Sequence, residues 1–312
     1  YHAPKEQKAL IFSREGQKFT FTEEKTKRGM ISEMVAENQL FFSVACTMND
    51  RPCISAMHWY RNHVFFSRDY SDIPKQLLAY SEDKNMLRVI SEYAKTADLG
   101  IQDMHFEFDS KEIKDDVSWP DNIPEGIRTA LVQFMHALTD NSMNSNVSLK
   151  VGEVSAKACH FGENRDGQQS SYMLELEEES DGTRKLMALA PAIESALRMG
   201  GILLVDELER DLHPKLVNFI VAKFQSKTTN PNGAQIVFTT HNTELMNLEL
   251  LRKDQLYFVD KYDKDGTSEL YSISEFATRT TENVRKGYLV GKYGAVPDIE
   301  IEEVCASSAL DI

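Results

Sequence analysis

The stretch Gly201-Ile-Leu-Leu-Val-Asp-Glu-Leu-Glu-Arg-Asp-Leu-His-Pro214 places four apolar residues directly before two acids. A short, unbroken apolar run bounded by glycine is typical of a strand buried in a parallel sheet. Open α/β sheets bind their ligands at the carboxyl ends of such strands, which is where Asp206 and Glu207 fall. One carboxylate there can hold Mg²⁺ and the next can orient a water molecule, so the stretch favours nucleotide hydrolysis. Taken alone, an ordinary core strand that ends in solvated acids remains the alternative.

A second apolar stretch, residues 235–238, lies downstream and is followed by two threonines and His241. We predict a second buried strand that lies parallel beside the first. Residues 213–226 carry apolar residues at helical spacing, with Pro214 in the first turn, and they predict the crossover helix. This arrangement would bring His241 next to Glu207, at an edge where a histidine is more often functional than structural.

A predicted helix start lies upstream of both strands. Ser180 or Asp181 can cap a helix whose apolar residues recur at helical spacing from Leu186 to Leu197. Gly182 would let a ligand approach the backbone closely. The first N–H groups of a helix have no partner within it, and the helix dipole favours anions there. The segment is therefore a candidate phosphate site, although an ordinary capped helix is the simpler interpretation when it is taken alone.

The order and spacing of these three segments resemble the ABC-type ATPases. Ser180-Asp-Gly-Thr-Arg-Lys185 resembles their signature motif, and residues 202–207 resemble their Walker B strand. Arg210-Asp-Leu-His213 lies where the D-loop is expected, and His241 lies where the switch histidine is expected. Residues 171–297 more closely resemble bacterial phage-defence ATPases of the AAA and overcoming-lysogenization-defect type, including abortive-infection, Septu and retron-associated relatives. The first 170 residues resemble the variable inserted region of that group only loosely.

The resemblance implies ATP and Mg²⁺ as cofactors and assigns roles at the sheet edge. Asp206 would hold Mg²⁺, directly or through water. Glu207 would act as the general base that polarises the attacking water. His241 would donate a hydrogen bond to the γ-phosphate and stabilise the charge that develops in the transition state.

The resemblance also implies a head-to-tail homodimer, or a higher oligomer, that sandwiches ATP between two copies. Ser180 and Gly182 would contact the γ-phosphate of the nucleotide held by the opposite copy, and Asp211 would lie in the seam between the copies. A separate effector, such as a nuclease, is the implied protein partner, and DNA or RNA is a possible further partner. The implied function is a cytoplasmic anti-phage ATPase.

Two other functions stay open. One is a DNA-repair or chromosome-maintenance ATPase, although the long heptad coiled coils of those proteins are not visible here. The other is a non-catalytic scaffold that binds nucleotide in order to assemble a toxin or nuclease. A membrane-transporter ATPase is disfavoured because those proteins lack the Glu-x-x-Leu-His-Pro continuation that ends at Pro214.

One motif of this class does not occur in the 312 residues. A phosphate-cradling loop reads Gly-x-x-x-x-Gly-Lys-Ser/Thr. The nearest segment, Gly287–Lys292, has one residue too few between its glycines and is followed by Tyr293 instead of a small hydroxyl residue. Because the loop lies near the N-terminus in the family and this chain begins at Tyr1, we expect a native segment that carries the loop to precede it. The alternative is a natural protein that has lost the loop.

Composition and charge limit the class of protein further. Apolar residues make up 41% and charged residues 27% of the chain, and no apolar run approaches the length of a membrane span. A net charge of −14 argues against a nucleic-acid binder with a wholly basic surface but allows a local basic groove. The four cysteines form no Cys-x-x-Cys pair, which favours free thiols in a cytoplasmic protein over a zinc site.

We therefore predict an α/β fold, with a P-loop hydrolase sheet like that of the ABC ATPases, flanking helices and a mostly helical inserted region. The predicted boundary falls at residue 146. Residues 1–146 would hold a β-hairpin and the inserted helices. Residues 147–312 would hold the ATPase lobe with the signature, Walker B and switch-histidine segments.

Local patterns predict the remaining elements. They are a hairpin over residues 8–21, helices over 31–46, 72–80, 84–97, 127–138 and 245–251, strands over 101–108, 147–153, 155–160 and 171–177, turns over 163–167 and 263–266, and a second hairpin over 255–273. Residues 54–66 fit a helix or a strand. Their aromatic residues, Trp59, Tyr60, Phe65 and Phe66, are assigned to the core rather than to a surface that stacks on bases.

Overall fold

The computed structural model describes residues 10–67, 73–98, 100–113, 126, 149–163, 168–262, 266–276 and 283–297, with the backbone alone for 110–113 and 149–153. The helices are α1 (Lys25–Glu33), α2 (Phe41–Thr47), α3 (Arg51–His63), α4 (Ile73–Leu78), α5 (Lys84–Ala97), α6 (Asp181–Met199), α7 (Pro214–Gln225) and α8 (Val284–Leu289). The strands are β1 (Phe12–Glu15), β2 (Lys18–Phe21), β3 (Val64–Phe66), β4 (Ile101–Ile113), β5 (Leu149–Glu163), β6 (Gln169–Glu175), β7 (Ile202–Val205), β8 (Gln235–Phe238), β9 (Tyr257–Lys261) and β10 (Ser268–Ser272). The mixed α/β class predicted from the sequence is thus observed.

The sheet that carries the candidate site is parallel and has the strand order β3-β7-β8. Val64 pairs with Ile202, and Ile202 pairs with Gln235 on its other side, so β7 is the middle strand. Leu203 and Val205 on β7 are buried, and the alternate residues Ile202 and Leu204 are half-buried. The parallel pair β7–β8 and its crossover helix, α7, were both predicted and are confirmed.

Strand β8 differs from its prediction as a buried strand. In the described part of the chain it lies at the edge of the sheet, and 58% of Val237 is exposed. An edge strand has a hydrogen-bonded neighbour on one side only, so its side chains are less buried than those of the middle strand β7. The apolar residues of β7 and β8 do not by themselves distinguish a middle strand from an edge strand.

Helix α6 runs from the predicted cap to a glycine. The Ser180 hydroxyl oxygen accepts a hydrogen bond from the Thr183 N–H, as an N-cap residue does. The apolar stripe that begins at Leu186 is buried in the main core. Gly200 ends the helix in the left-handed region at φ 65°, and a Cβ there would lie 2.6 Å from the Asn232 carbonyl oxygen. The helix is therefore fixed at both ends.

A second sheet, antiparallel with the order β4-β5-β6, joins the core through α5 and α4. The boundary predicted at residue 146 lies outside the described residues and stays a prediction. Strands β3 and β4 precede it and pair with β7 and β5, which follow it. Both segments of the chain therefore contribute strands to each of these sheets.

The hairpin β1–β2 packs against α2 through aromatic rings. Phe41 of α2 is buried, and its ring lies 4.6 Å from Phe12, 5.5 Å from Phe19 and 5.3 Å from Phe21 between centroids. The strand period of two puts the three hairpin rings on one face, because the strands pair in register. The first predicted hairpin is thus confirmed over the described residues.

The single helix predicted over residues 31–46 is wrong. Helix α1 ends before Met34, α2 begins after Leu40, and both of these apolar side chains are exposed. In the connection, the Gln39 side-chain oxygen accepts the Ala36 N–H, a local bond that competes with helix continuation. Apolar residues at helical spacing therefore do not establish one continuous helix here.

The assignment of the aromatic group after residue 54 to the core is also wrong for three of its four members. Trp59, Tyr60 and Phe66 are 44%, 54% and 65% exposed, while Phe65 is half-buried against the main core. On α3, Trp59 packs edge-on against Tyr60 at 5.4 Å and stacks on His63 at 5.2 Å between centroids, so these rings contact one another at the surface. The segment that was ambiguous between helix and strand is α3 followed by β3.

Smaller differences complete the comparison with the predicted elements. The described residues of the two strands predicted over 147–153 and 155–160 belong to the single strand β5, which begins at Leu149, and the helix predicted over 245–251 is replaced by a 3₁₀ turn at Thr243–Leu245. Helix α5 and the hairpin β9–β10 are confirmed. The helix predicted over 127–138 and the turns at 163–167 and 263–266 fall wholly or mostly outside the described residues. Among the described helices, none has both the length and the apolar character needed to cross a bilayer.

Candidate functional site

A threonine hydroxyl at the end of β8 forms hydrogen bonds with both predicted acids, Asp206 and Glu207. The Thr239 Oγ1 donates to Asp206 Oδ1 at 2.5 Å and accepts from the Glu207 N–H at 2.8 Å. Thr239 directly follows β8, and the acids directly follow β7, so the parallel register brings the three residues together. Thr239 was not among the predicted site residues, although its hydroxyl at the end of a strand was a signal that could have indicated it.

The structure also brings His241 to Glu207. The imidazole Nε2 lies 3.9 Å from the carboxylate Oε1, beyond a direct hydrogen bond but near enough for both groups to contact one ligand. The side chain of His241 is 88% exposed and that of Glu207 is 46% exposed. The two groups that resemble a catalytic base and a switch histidine therefore face solvent side by side.

The turn that follows β7 is held by a buried ammonium group. Lys185 of α6 is 6% exposed, and its Nζ donates to the carbonyl oxygens of Glu207 at 3.0 Å, Leu208 at 3.2 Å and Arg210 at 2.5 Å. An ammonium has three N–H donors, so each can serve one carbonyl. Burial lowers the pKa of Lys185, and the nearby Asp211 carboxylate opposes that shift.

The backbone of the same turn is strained at two places. Glu207 has φ 47° and Asp211 has φ 59°, which is the left-handed region that residues other than glycine rarely enter. Each such residue costs about 1–3 kcal/mol and persists only where the surroundings hold it, often at functional sites. The contacts of Lys185 are the surroundings that hold this turn.

The predicted phosphate-contacting segment packs on the predicted D-loop segment of the same chain. A Cβ at Gly182 would lie 2.8 Å from the Asp211 carbonyl oxygen, so the absence of a side chain permits this close approach. Ser180 is exposed, although its hydroxyl already bonds the Thr183 N–H and hydroxyl. The close approach expected of a ligand at Gly182 is therefore made by backbone, and the contacts of both residues with a second copy stay predictions.

A third acid of the turn bonds the backbone of the histidine. The Glu209 Oε1 accepts the His241 N–H at 2.6 Å, while Oε2 is buried and has no hydrogen-bond partner among the described residues. Burial raises the pKa of Glu209, but the hydrogen bonds from the Thr240 hydroxyl and the His241 N–H outweigh it, and the pKa falls below its ordinary value. Glu209 was not among the predicted site residues, because no local sequence pattern relates positions as far apart as 209 and 241.

A buried carboxylate that contacts a histidine precedes the start of α6. The His160 Nε2 of β5 lies 2.7 Å from the Glu179 Oε1, both side chains are almost fully buried, and the Tyr172 ring stacks on the imidazole at 5.5 Å. Glu179 directly precedes the cap residue Ser180. This pair ties the start of α6 to the antiparallel sheet.

The donor atoms at the sheet edge suit magnesium shared with a phosphate. Among the described residues, no group of three histidine, cysteine or acidic side chains could enclose a metal ion. Asp206 and Glu207 offer one or two carboxylates, and Mg²⁺ is usually bound by that number together with water and substrate phosphates. Asp206 is exposed at this edge, so one of its oxygens is available for that role.

Comparison with known proteins matches the chain to a family model and to a curated relative. The family model described as "AAA domain, putative AbiEii toxin, Type IV TA system" matches residues 20–247, which is more than half of the chain and includes every predicted site residue. A curated protein of Vibrio cholerae serotype O1 biovar El Tor, "Retron Vc95 probable ATPase", is 34% identical over 84 residues. That match covers 27% of this chain and 15% of the Vibrio protein, so this chain matches only a small part of its length.

Proposed function

Because the chain belongs to the family described as AAA domain, putative AbiEii toxin, Type IV TA system, we propose that it binds and hydrolyses ATP as a subunit of a bacterial anti-phage defence system. One observation carries the chemical part of the proposal. Glu207 and His241 come from the ends of two parallel strands and lie 3.9 Å apart beside Asp206. The printed name of the Vibrio relative, a retron protein and probable ATPase, supports the defence part.

In the proposed mechanism, Glu207 accepts a proton from the water that attacks the γ-phosphate, while the bond from that phosphorus to the bridging oxygen breaks. His241 donates a hydrogen bond to a γ-phosphate oxygen as negative charge grows there. Asp206, oriented by the Thr239 hydroxyl, would hold Mg²⁺, which supplies positive charge to the β- and γ-phosphates. We assign the chain to the ABC-type arrangement on this basis.

We further propose that two copies assemble head to tail around ATP. The start of α6 is exposed at Ser180, and its first N–H groups suit an anion. In this assembly Ser180 and Gly182 contact the γ-phosphate held by the other copy, and Asp211 lies in the seam. Closure follows from the greater number of γ-phosphate contacts in the closed state than in the open state. The effector is a separate protein such as a nuclease.

The first test is metal-dependent turnover of the full-length protein. We expect phosphate release from ATP that requires Mg²⁺ and stops when excess EDTA is added, because Asp206 and Glu207 carry negative charge and the ion would supply the positive charge that offsets the phosphates. Phosphate release is followed with a coupled assay, and ATP binding is followed by calorimetry. Tight ATP binding without any phosphate release would replace this proposal with the nucleotide-dependent scaffold.

The second test is the contact between copies at Ser180. In Ser180→Ala, we expect the ATP-dependent dimer to dissociate at least about tenfold more readily, since one charge-assisted hydrogen bond contributes roughly 1.5–3 kcal/mol. ATP binding to the monomer should change less than threefold. Sedimentation velocity with and without ATP measures the first quantity, and calorimetry measures the second.

Loss of the helix cap is the competing effect in that variant. Asp83→Ala is the matched control, because Asp83 caps α5 through the Met86 N–H, away from the candidate site. Both variants lose about 1 kcal/mol of helix stabilisation. An equal effect of Ser180→Ala on dimerisation and on monomer binding would refute the contact between copies.

A further inference from the structure

The location of His241 is not explained by the sheet. Strand β8 ends at Phe238, and the ladder extends one residue further, where the Thr239 N–H donates to the Val205 carbonyl and the Thr239 carbonyl accepts the Leu208 N–H. His241 lies two residues beyond that point, and its side chain is almost fully exposed. Neither strand pairing nor burial of the imidazole therefore determines where this residue lies.

Glu209 supplies the missing connection. Its Oε1 accepts the His241 N–H at 2.6 Å, and its side chain also bonds the Thr240 hydroxyl. The chain on both sides of Glu209 is fixed in the core, because Leu208 is fully buried and Leu212 is nearly so. The turn that carries these residues is the one whose carbonyls Lys185 binds. The turn after β7 thus bonds the backbone that follows β8.

We propose that Glu209 is a positioning residue, which holds the backbone of His241 so that its imidazole stays beside the Glu207 carboxylate. The two functional groups then keep the spacing at which both can act on one γ-phosphate. Glu209 itself makes no contact with nucleotide in this arrangement. The inference rests on the proposed ATPase function, and it assigns a positioning role within that site to a residue that had no role there.

Glu209 is poorly suited to the other role that its charge suggests, that of a second general base. Its Oε1 already accepts a hydrogen bond, and its Oε2 is buried away from solvent. Hydrogen bonds also depress the pKa of this carboxyl, which weakens it as a base. The exposed Glu207 carboxylate has none of these restrictions.

The test compares leucine, glutamine and a remote control in the full-length protein. Glu209→Leu keeps the side-chain volume but removes the acceptor, so we expect kcat to fall about ten- to a hundredfold, since misplacing a group by about 1 Å has effects of that size. The KM for ATP should change less than threefold. Glu209→Gln retains one acceptor oxygen and should be at least fivefold faster than Glu209→Leu. Glu249→Leu, an exposed glutamate outside the site, should match wild type.

Amide hydrogen exchange provides a readout that does not depend on catalysis. The His241 amide should exchange at least about tenfold faster in Glu209→Leu than in wild type, because its acceptor is gone. If Glu209→Leu fails to fold, Glu209→Ala replaces it in both measurements. A variant that hydrolyses ATP at the wild-type rate, or leaves the His241 amide protected, would overturn the positioning role while the ATPase function stands. If the wild-type protein hydrolyses no ATP, the proposed function is contradicted. The exchange experiment would still test whether Glu209 holds the His241 backbone.

Discussion

Glu207→Gln should leave ATP bound to the full-length protein while kcat falls by about 10³-fold, within the range that general-base catalysis contributes. Glutamine has the same length and keeps the backbone contacts of this position, which are the Thr239 hydroxyl at its N–H and Lys185 at its carbonyl. It lacks only the ability to accept a proton from water. Single-turnover phosphate release and calorimetric ATP binding measure the two quantities separately.

The control for this variant is Glu244→Gln, which changes an exposed glutamate close to His241 in sequence and should hydrolyse ATP at the wild-type rate. Undiminished turnover in Glu207→Gln would show that another group activates the water. A large loss of ATP affinity in the same variant would indicate that Glu207 binds the nucleotide or its metal rather than acting as the base.

Lys185→Met should lower the free energy of unfolding by about 3 kcal/mol, because three carbonyl groups lose a donor that few water molecules can replace. The methionine fills a similar volume, so the main loss is the hydrogen bonding to the Glu207, Leu208 and Arg210 carbonyls. Two residues of this turn have left-handed backbone, which the freed turn would tend to relax. Displacement of the Glu207 carboxylate should also lower kcat more than tenfold.

Thermal unfolding and turnover, the latter measured well below the unfolding temperature, separate these two effects. Lys215→Met is the matched control, because Lys215 lies at the exposed start of α7, and it should change neither quantity appreciably. A Lys185→Met protein as stable as wild type would mean that the turn keeps its shape without the ammonium. In that case the strained backbone at Glu207 would need another cause.

The elements around the site could be predicted because each depends on a local pattern. A few consecutive residues are enough to recognise each of them, namely the apolar residues of β7 and β8, the cap at Ser180 and Pro214 at the start of α7. The parallel arrangement then follows from the helix between the strands, and it brings the strand ends to one edge. The proximity of Glu207 to His241 could be anticipated on that basis.

The features that hold the site could not be predicted in this way. Lys185 reads as one more polar residue of a helix, and nothing in its neighbours shows that it binds three carbonyls of a turn more than twenty residues away. The hydrogen bond from the His241 N–H to Glu209 joins the segments that follow two different strands, and no sequence pattern marks Glu209 as its acceptor. Exposure of Trp59 was missed for a related reason, since an apolar residue on a short helix can face the core or solvent.

The pairing of β3 with β7 has a consequence for how the protein is made. Val64 and Ile202 are neighbours in the sheet but are separated by more than a hundred residues of chain. At about 5–20 residues per second, the ribosome needs on the order of ten seconds to deliver the second strand after the first. During that interval the apolar β3, with its exposed Phe66, has no β7 to pair with. The edge that carries the acids and the histidine therefore cannot assemble until β7 and β8 have been synthesised, and until then the nascent chain is exposed to aggregation or chaperone capture.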